Sequence, residues 1–553
     1  MLRLKGGRLY DPAHGVDGVV RDLYVDRGRL VADPGPAAPL DGEIDLAGRI
    51  VMAGAIDLHT HIGGGKMNIA RALLPEDHRR DPVPAADGMH AGCGHAAPST
   101  WTTGYRYAEM GYTACFEPAM LPTNARHTHL EMGDIPMVDK GAYAMLGSDD
   151  FFLRLLAAGS AQRLINDYVG WTLHASQAMA IKVVNPGGIS AFKFNARSLD
   201  LDEPHPHYGV TPRKVIQVLS RAVHELGVAH PLHVHASNLG VPGNADTTLA
   251  TMAAAEGLPI HLTHIQFHSY GAEGERRFSS EAERIADAIN RMQNVSADVG
   301  QILFGQTVTA SGDTMKQYAN RRHAHPDKWV VADMECDAGC GVVPFKYKDK
   351  NFVNALQWAI GLELFLRVGD PWRIFLTTDH PNGAPFTSYP HLIRLLMDRG
   401  FRNAKLDEIH PDAAAHSQLR SLEREYSLYE IAVMTRAAPA RSLGLADRGH
   451  LGEGAAADIV VYRDEADREA MFARPEYVFK DGELIVRDGR VVNVVNGALH
   501  AVKPEYDKGI EHALRDYFER YMTVSMEHVK VKDDEVCACG ASRLIPHACG
   551  SRA

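Results

Sequence analysis

The 553-residue chain has no apolar run approaching the ~20 residues that cross a bilayer. Its opening, MLRLKGGRLYDPAHG, lacks the apolar core and small-residue cleavage site of a secretory leader. Cysteine is scarce and scattered, seven in all, at 93, 115, 336, 340, 537, 539 and 549. An odd, dispersed set in so long a chain is no disulfide framework and favours free thiols in a reducing cytoplasm. Positive charge is not in excess: 58 Lys and Arg against 69 Asp and Glu leave −11, which argues against nucleic acid as the main partner. No Cys-rich iron–sulfur pattern is present. These absences imply a cytoplasmic protein with no membrane and no nucleic-acid partner, long enough for a large domain and a smaller one.

What is present is histidine, 29 of them, many at the ends of β-like runs. The first 50 residues read as short strands with turns, in LRLKGGRLYDP, RDLYVDRGRLVA and GEIDLAGRIV. The idiom returns in GHLGEGAAADIVVYR and YVFKDGELIVRDGRVVN, where Asp-Gly pairs separate β-rich runs and signal hairpins. Residues 1–50 and 436–496 are therefore expected to build one small composite β domain from both chain ends. Between them, residues 51–435 alternate apolar runs with helical stretches. Strands are predicted at VMAGAIDLHTH, YTACFEPAM, AYAMLG, AIKVVNPG, PLHVHASN, IHLTHIQF, NVSADVGQ and RIFLTTDHPN. Amphipathic helices fit TPRKVIQVLSRAVHELG, SEAERIADAINRMQ and NALQWAIGLELFLRV. Eight such alternations predict an α/β fold, a (β/α)8 TIM-type barrel whose chemistry lies at the C-terminal strand ends. Long excursions, residues 63–111 and about 302–371, should roof that face. Residues 497–553 read as an amphipathic helix and a polar tail.

The stretch DLHTHIGGGKMN puts His59 and His61 one residue apart, so both face the same side of an extended chain. Other predicted strand ends carry Lys182, His233 and His235, His264, and Asp379. Imidazoles and a carboxylate converging on one rim suit zinc or a similar divalent ion. Two such ions would activate water and polarise an acyl oxygen. A lysine in that company makes sense as a carbamate formed with CO2, an anion able to bridge two metals. Plainer readings compete. A lone H-x-H is weak evidence, His233 sits deeper and reads as packed, Asp379 alone suits a loop cap, and Lys193 in AFKFNAR rivals Lys182. The end CACGASRLIPHACG offers Cys537, Cys539, His547 and Cys549, but a C-x-C without a second close pair is a poor zinc signature. It reads rather as a disordered tail.

This set resembles the amidohydrolase superfamily, as does the β segment GEGAAADIVVY. More narrowly, GYRYAEMGYT, IKVVNPGG, HVHASNLGVPGN, THIQFHSYG, GVVPFKY, QWAIGLELFL and LTTDHPNGAPF resemble the A subunits of formylmethanofuran dehydrogenase and of the bacterial formyltransferase/hydrolase complex. The resemblance implies two divalent metals, zinc first, on His59, His61, Lys182, His235, His264 and Asp379, with the carbamate on Lys182. It makes Asp379 and His264 catalytic, Asp379 taking the proton of the attacking water. The implied substrate is an N-formyl furfurylamine of the methanofuran/methylofuran type with a polyglutamate tail, and formyltransferase and other subunits are implied partners. Run backwards, as in the archaeal dehydrogenase, the site would condense formate with the amine. A poly-acid tail needs a basic groove, for which HRR (78–80), RMQ (291–293) and RRHAH (321–325) are candidates. Other readings are a hydantoinase or dihydroorotase-like cyclic amidohydrolase, and a non-catalytic scaffold protein within a complex.

Overall fold

A computed structural model describes residues 1–86, 88–187, 200–310, 334–335, 341–538 and 543–550. Eight strands follow one another around a single sheet: Ala55–Asp57, Tyr112–Met120, Asp139–Met145, Ala180–Val184, Leu232–His235, Ile260–Leu262, Val295–Asp298 and Ile374–Phe375. Each adjacent pair is parallel. A parallel bridge between Thr60 and His380 closes the ring, and the His61 N–H donates to the His380 carbonyl at 2.9 Å. Seven of the eight strands lie within predicted runs, the third starts three residues before AYAMLG, at Asp139, and the fold is the expected (β/α)8 barrel. Parallel strands covered by helices are buried on both faces, so apolar residues predominate in them and the polar ones they carry are enclosed. Every residue of Asp139–Met145 is buried.

The helices follow their sequence signals with one exception. Pro212–Glu225 starts at Thr211, whose hydroxyl accepts the Lys214 N–H, with proline in its first turn. It buries Val215, Ile216, Leu219 and Val223 and leaves its other face to solvent. Phe352–Arg367, expected to be amphipathic, is instead buried from Phe352 through Leu366. Helices Ala282–Arg291 and Pro411–His416 pack against it. Its polar residues are satisfied inside: Gln357 donates to the Tyr270 hydroxyl at 3.0 Å, and Glu363 accepts from Ser280, Ser417 and the Gln418 N–H at 2.6, 2.9 and 2.7 Å. Burial therefore follows from the cover around the helix, which its own periodicity does not encode.

A second sheet of nine strands draws on both chain ends, running from Arg490–Val491 through Ile459–Arg463 and Arg49–Ala53 to Leu2–Asp11 and Val16–Asp26. Leu9, Val51, Val461 and Phe479 belong to its separate core. The predicted hairpins turn at Asp481-Gly482 and Asp488-Gly489, all four residues at positive φ as such tight turns require. The run VMAGAIDLHTH, expected as one strand, is divided between Arg49–Ala53 and Ala55–Asp57. The Gly54 N–H bonds to the Asp458 carbonyl of the composite sheet, whereas the Ala55 N–H bonds to the Gly111 carbonyl of the barrel.

The tail differs from expectation. After the helix Ile510–Tyr521, residues Leu544–Ala548 form a strand parallel to Leu499–Lys503, which meets the barrel sheet at Lys140. The pairing partner lies some 45 residues upstream, a separation that local composition does not reveal. His547 Nε2 lies 2.8 Å from His500 Nδ1, so its imidazole is engaged there; Cys539 lies outside the described residues. Among the described residues no helix is long and apolar enough to cross a membrane.

Candidate active site

The strand ends converge on one pocket. His59, His61, Lys182, His235, His264 and Asp379 all line it, and none is more than 6% exposed. His59 Nε2 lies 2.9 Å and His61 Nε2 3.4 Å from Asp379 Oδ1. Ligating atoms of His59, His264 and Asp379 fall within 4.8 Å of one another, as do those of His235, His264 and His268. Lys193, the rival lysine, lies outside the described residues.

The backbone holds two of these residues in a costly conformation. His264 has φ of +38° and Asp379 of +50°, in the left-handed region that non-glycine residues avoid. Such strain, on the order of 1–3 kcal/mol each, persists where the surroundings impose it and clusters at functional sites. Gly300 is part of that imposition: a Cβ there would meet His264 Cα at 2.7 Å and its Cβ closer still. Only glycine lets the seventh strand exit this close behind His264.

Electrostatics assign the protonation states. Burial pushes His235 and His264 well below the usual histidine range, so both are neutral and present lone pairs. Burial opposes ionisation of Asp379, but the imidazoles around it, among them its hydrogen-bond partners His59 and His61, hold its carboxyl well below the usual range. Burial drives the Lys182 amine down to about 7. His235 Nε2, His264 Nδ1 and both nitrogens of His268 are buried with no hydrogen-bond partner among the described residues. Unpaired buried polar atoms are rare in folded proteins. Neutral imidazoles with free nitrogens beside an anionic carboxylate are the donor set that a divalent metal takes, and the residues present fit one.

Several contributors went unread in the sequence. Glu117, at the end of the second strand, accepts from His61 Nδ1 at 2.8 Å and from the Ile62 and Gly63 N–H groups at 2.7 and 3.2 Å. Asp298, ending the seventh, accepts from the His264 N–H at 2.9 Å, Thr377 Oγ1 at 2.8 Å and His261 Nε2 at 3.0 Å. Both acids sit inside predicted strands, in YTACFEPAM and NVSADVGQ, and an acid at a barrel strand end was the available signal. Lys66 and Asn382 also line the pocket. His233 is packed behind His59, as its deeper position implied, with Nε2 2.8 Å from His59 Nδ1.

Comparison with known proteins agrees with this geometry. Residues 42–492 match the amidohydrolase family. The A subunit of the formyltransferase/hydrolase complex Fhc of Methylorubrum extorquens is 45% identical over 538 residues, covering 96% of this chain and 97% of the relative. Protein FwdA of Methanocaldococcus jannaschii is 40% identical over 554 residues, covering 96% of each chain. The crystal structure of the formyltransferase/hydrolase complex FhcABCD from Methylorubrum extorquens with methylofuran aligns at a TM-score of 0.90. Sequence identity there is 43%, over 99% of this chain and 100% of that one. The family match runs through all eight barrel strands, Arg49–Ala53 and the C-terminal strands of the composite sheet, and the chain is an enzyme of the amidohydrolase family.

Proposed function

We propose that this chain hydrolyses the formamide bond of N-formyl-methylofuran, releasing formate and the free furfurylamine carrier, as the A-type component of a formyltransferase/hydrolase complex. One observation carries the reading. The likeness to a protein so named extends over 96% of the chain, and every residue the resemblance requires at the site lines one buried pocket. A pure scaffold would have no need to keep that set intact. Likeness beyond the barrel, into the tail, favours this substrate over a cyclic amide.

Two divalent ions, zinc by donor type, would be held by His59, His61, His235, His264, Asp379 and a carbamate on Lys182. A lysine amine at about pKa 7 has a substantial unprotonated fraction near neutrality, the form that adds to CO2. When bound, such a pair supplies activated water and positive charge for the acyl oxygen. The protein's own side chains do the rest. Glu117 accepts a hydrogen bond from His61 Nδ1–H, which keeps the proton there and leaves the Nε2 lone pair to the pocket. Asn382 Nδ2 donates to Asp379 Oδ2 at 2.7 Å, which leaves Oδ1 facing the imidazoles. Asp379, anionic at rest, accepts a proton from the attacking water and passes it to the leaving nitrogen. Water oxygen joins the formyl carbon, the C–N bond breaks, and formate and amine result. Run in reverse, the same steps condense formate with the amine.

The exposed His78–Arg80 run lies on the excursion after the first strand and suits contact with a polyglutamate tail; Arg291 is exposed as well, and 321–325 lies outside the described residues. The proposed division is residues 1–50 and 436–496 for the composite sheet, 51–435 for the barrel and 497–553 for the tail, with the strand Arg49–Ala53 moving the first boundary to Gly54. Metal content of the purified complex, with formate release from a formylated furfurylamine carrier, tests the reading. About two metals per chain with formate release support it; two metals without formate move the substrate elsewhere; no metal returns the histidines to packing.

A further inference from the structure

Lys66 is a buried cation that the mechanism above does not use. It lies just past the first strand because Gly64, at φ +82°, swings the chain into helix Gly65–Leu73. A side chain at 64 would also meet Thr128 Oγ1, 2.8 Å from its Cβ. Lys66 falls in the first turn of that helix, 6% exposed, with its side chain on the pocket.

Among the described residues its ammonium has one hydrogen-bond partner, His61 Nε2 at 3.2 Å, and no carboxylate within ion-pair distance. Elsewhere buried cations find oxygen acceptors: Lys140 donates to the Ile135 carbonyl at 2.7 Å, Arg402 to backbone carbonyls and Arg436 to the Ala53 carbonyl and the Tyr462 hydroxyl, while others meet carboxylates. Lys480 reaches Asp139 and Asp458, both at 3.1 Å, and Arg448 reaches Asp139 at 2.8 Å. The acids around this strand end are otherwise engaged: Glu117 with His61 Nδ1 and two backbone N–H groups, Asp379 with His59 and Asn382, Glu131 with the Gly64 N–H and Arg71. His61 Nδ1 is taken by Glu117, so Nε2 is the nitrogen left to ligate, and that use removes the partner Lys66 has. A desolvated ammonium without a counter-ion is costly. The arrangement is stable when a small anion arrives.

We infer that Lys66 is the anion-binding residue of the pocket and receives the carboxylate of formate, as product of hydrolysis or as substrate of the reverse reaction. This rests on the formamide reading. It adds a subsite that selects a one-carbon carboxylate by charge, separate from the residues that would hold metal.

The test compares the purified complex carrying wild-type, Lys66→Met and Lys66→Arg chains. Three quantities are read: metal per chain, formate affinity by calorimetry, and formate inhibition of hydrolysis, with acetate and chloride as controls. The expected result is unchanged metal and formate binding weakened on the order of tenfold to a hundredfold in Lys66→Met, the loss of one charge-assisted contact. Lys66→Arg should recover part of it. Formate affinity within twofold of wild type in Lys66→Met overturns the proposal. Loss of metal in Lys66→Met also overturns it, making Lys66 a counter-ion of the ligand set. Calorimetry needs no turnover. If the wild type binds formate through Lys66 yet releases none from the formylated carrier, the reaction assignment fails while the anion subsite stands.

Discussion

His59 Nδ1 lies 2.8 Å from His233 Nε2, and a line of hydrogen bonds continues from there through the barrel. His233 Nδ1 is 2.9 Å from His230 Nε2, and His230 Nδ1 is 3.0 Å from Ser442 Oγ on helix Ala438–Leu443. For His59 Nε2 to offer a lone pair to the pocket, its proton must sit on Nδ1. Each imidazole in the line, protonated on Nδ1, donates to the next. Burial holds His233 and His230 well below the usual histidine range, so both stay neutral and the order of donors is kept.

His230 is therefore expected to position His59 through His233. His230→Ala should weaken metal binding about tenfold, the low end for loss of a group that orients a ligand. Chelator competition on the purified protein measures it, with circular dichroism to show an unchanged fold. His233→Ala should cost more, being in direct contact. Equal metal affinity in all three proteins would leave the line a packing feature.

Lys182→Ala should lose both metal and formate release if a carbamate is one of the ligands. Metal reconstitution of the apo wild type should also be slower in CO2-depleted buffer than with bicarbonate added. The lysine reacts as the free amine, and its value of about 7 makes uptake rise with pH through that region. Uptake indifferent to both CO2 and pH would reassign the role.

His129 gives a pH signature remote from the pocket. It is fully enclosed, Nε2 bonds the Ser176 carbonyl at 2.8 Å, and burial pushes it down to about 4. The unfolded chain takes a proton here near 6.5, and the folded chain only near 4. Stability from this residue is thus intact above that unfolded value and lost as pH falls towards the folded one, by about 3 kcal/mol at most. Urea midpoints across the range from neutrality down to the folded value should fall less steeply for His129→Gln than for wild type.

The barrel and the composite sheet are joined by buried charges. Asp139 opens the third barrel strand, and Arg448, Asp458 and Lys480 come from the C-terminal half of the β assembly; none of the four is more than 3% exposed. Lys480→Met removes one of the two cations that Asp139 and Asp458 share, leaving both to Arg448, and should cost about 3 kcal/mol. Denaturant unfolding measures it, and a change under about 1 kcal/mol would mean that water replaces the missing cation.

Much of this protein is determined locally. Apolar runs of strand length alternating with helical periodicity specify a parallel barrel. Asp-Gly pairs specify the hairpins, and H-x-H, Lys182, His235, His264 and Asp379 mark the strand ends, because side-chain direction in an extended segment depends only on parity. Other features were decided by contacts between distant segments. Glu117 and Asp298 became partners of His61 and His264 only when strands two and seven were set beside strands one and six. The helix Phe352–Arg367 became an enclosed one through its neighbours, and Leu544–Ala548 became a strand through an edge offered by Leu499–Lys503. The left-handed backbone of His264 and Asp379 and the lone ammonium of Lys66 are likewise tertiary facts. Sequence sets what each residue can offer, whereas burial and partner decide which offer is used, because both are properties of the space around a side chain.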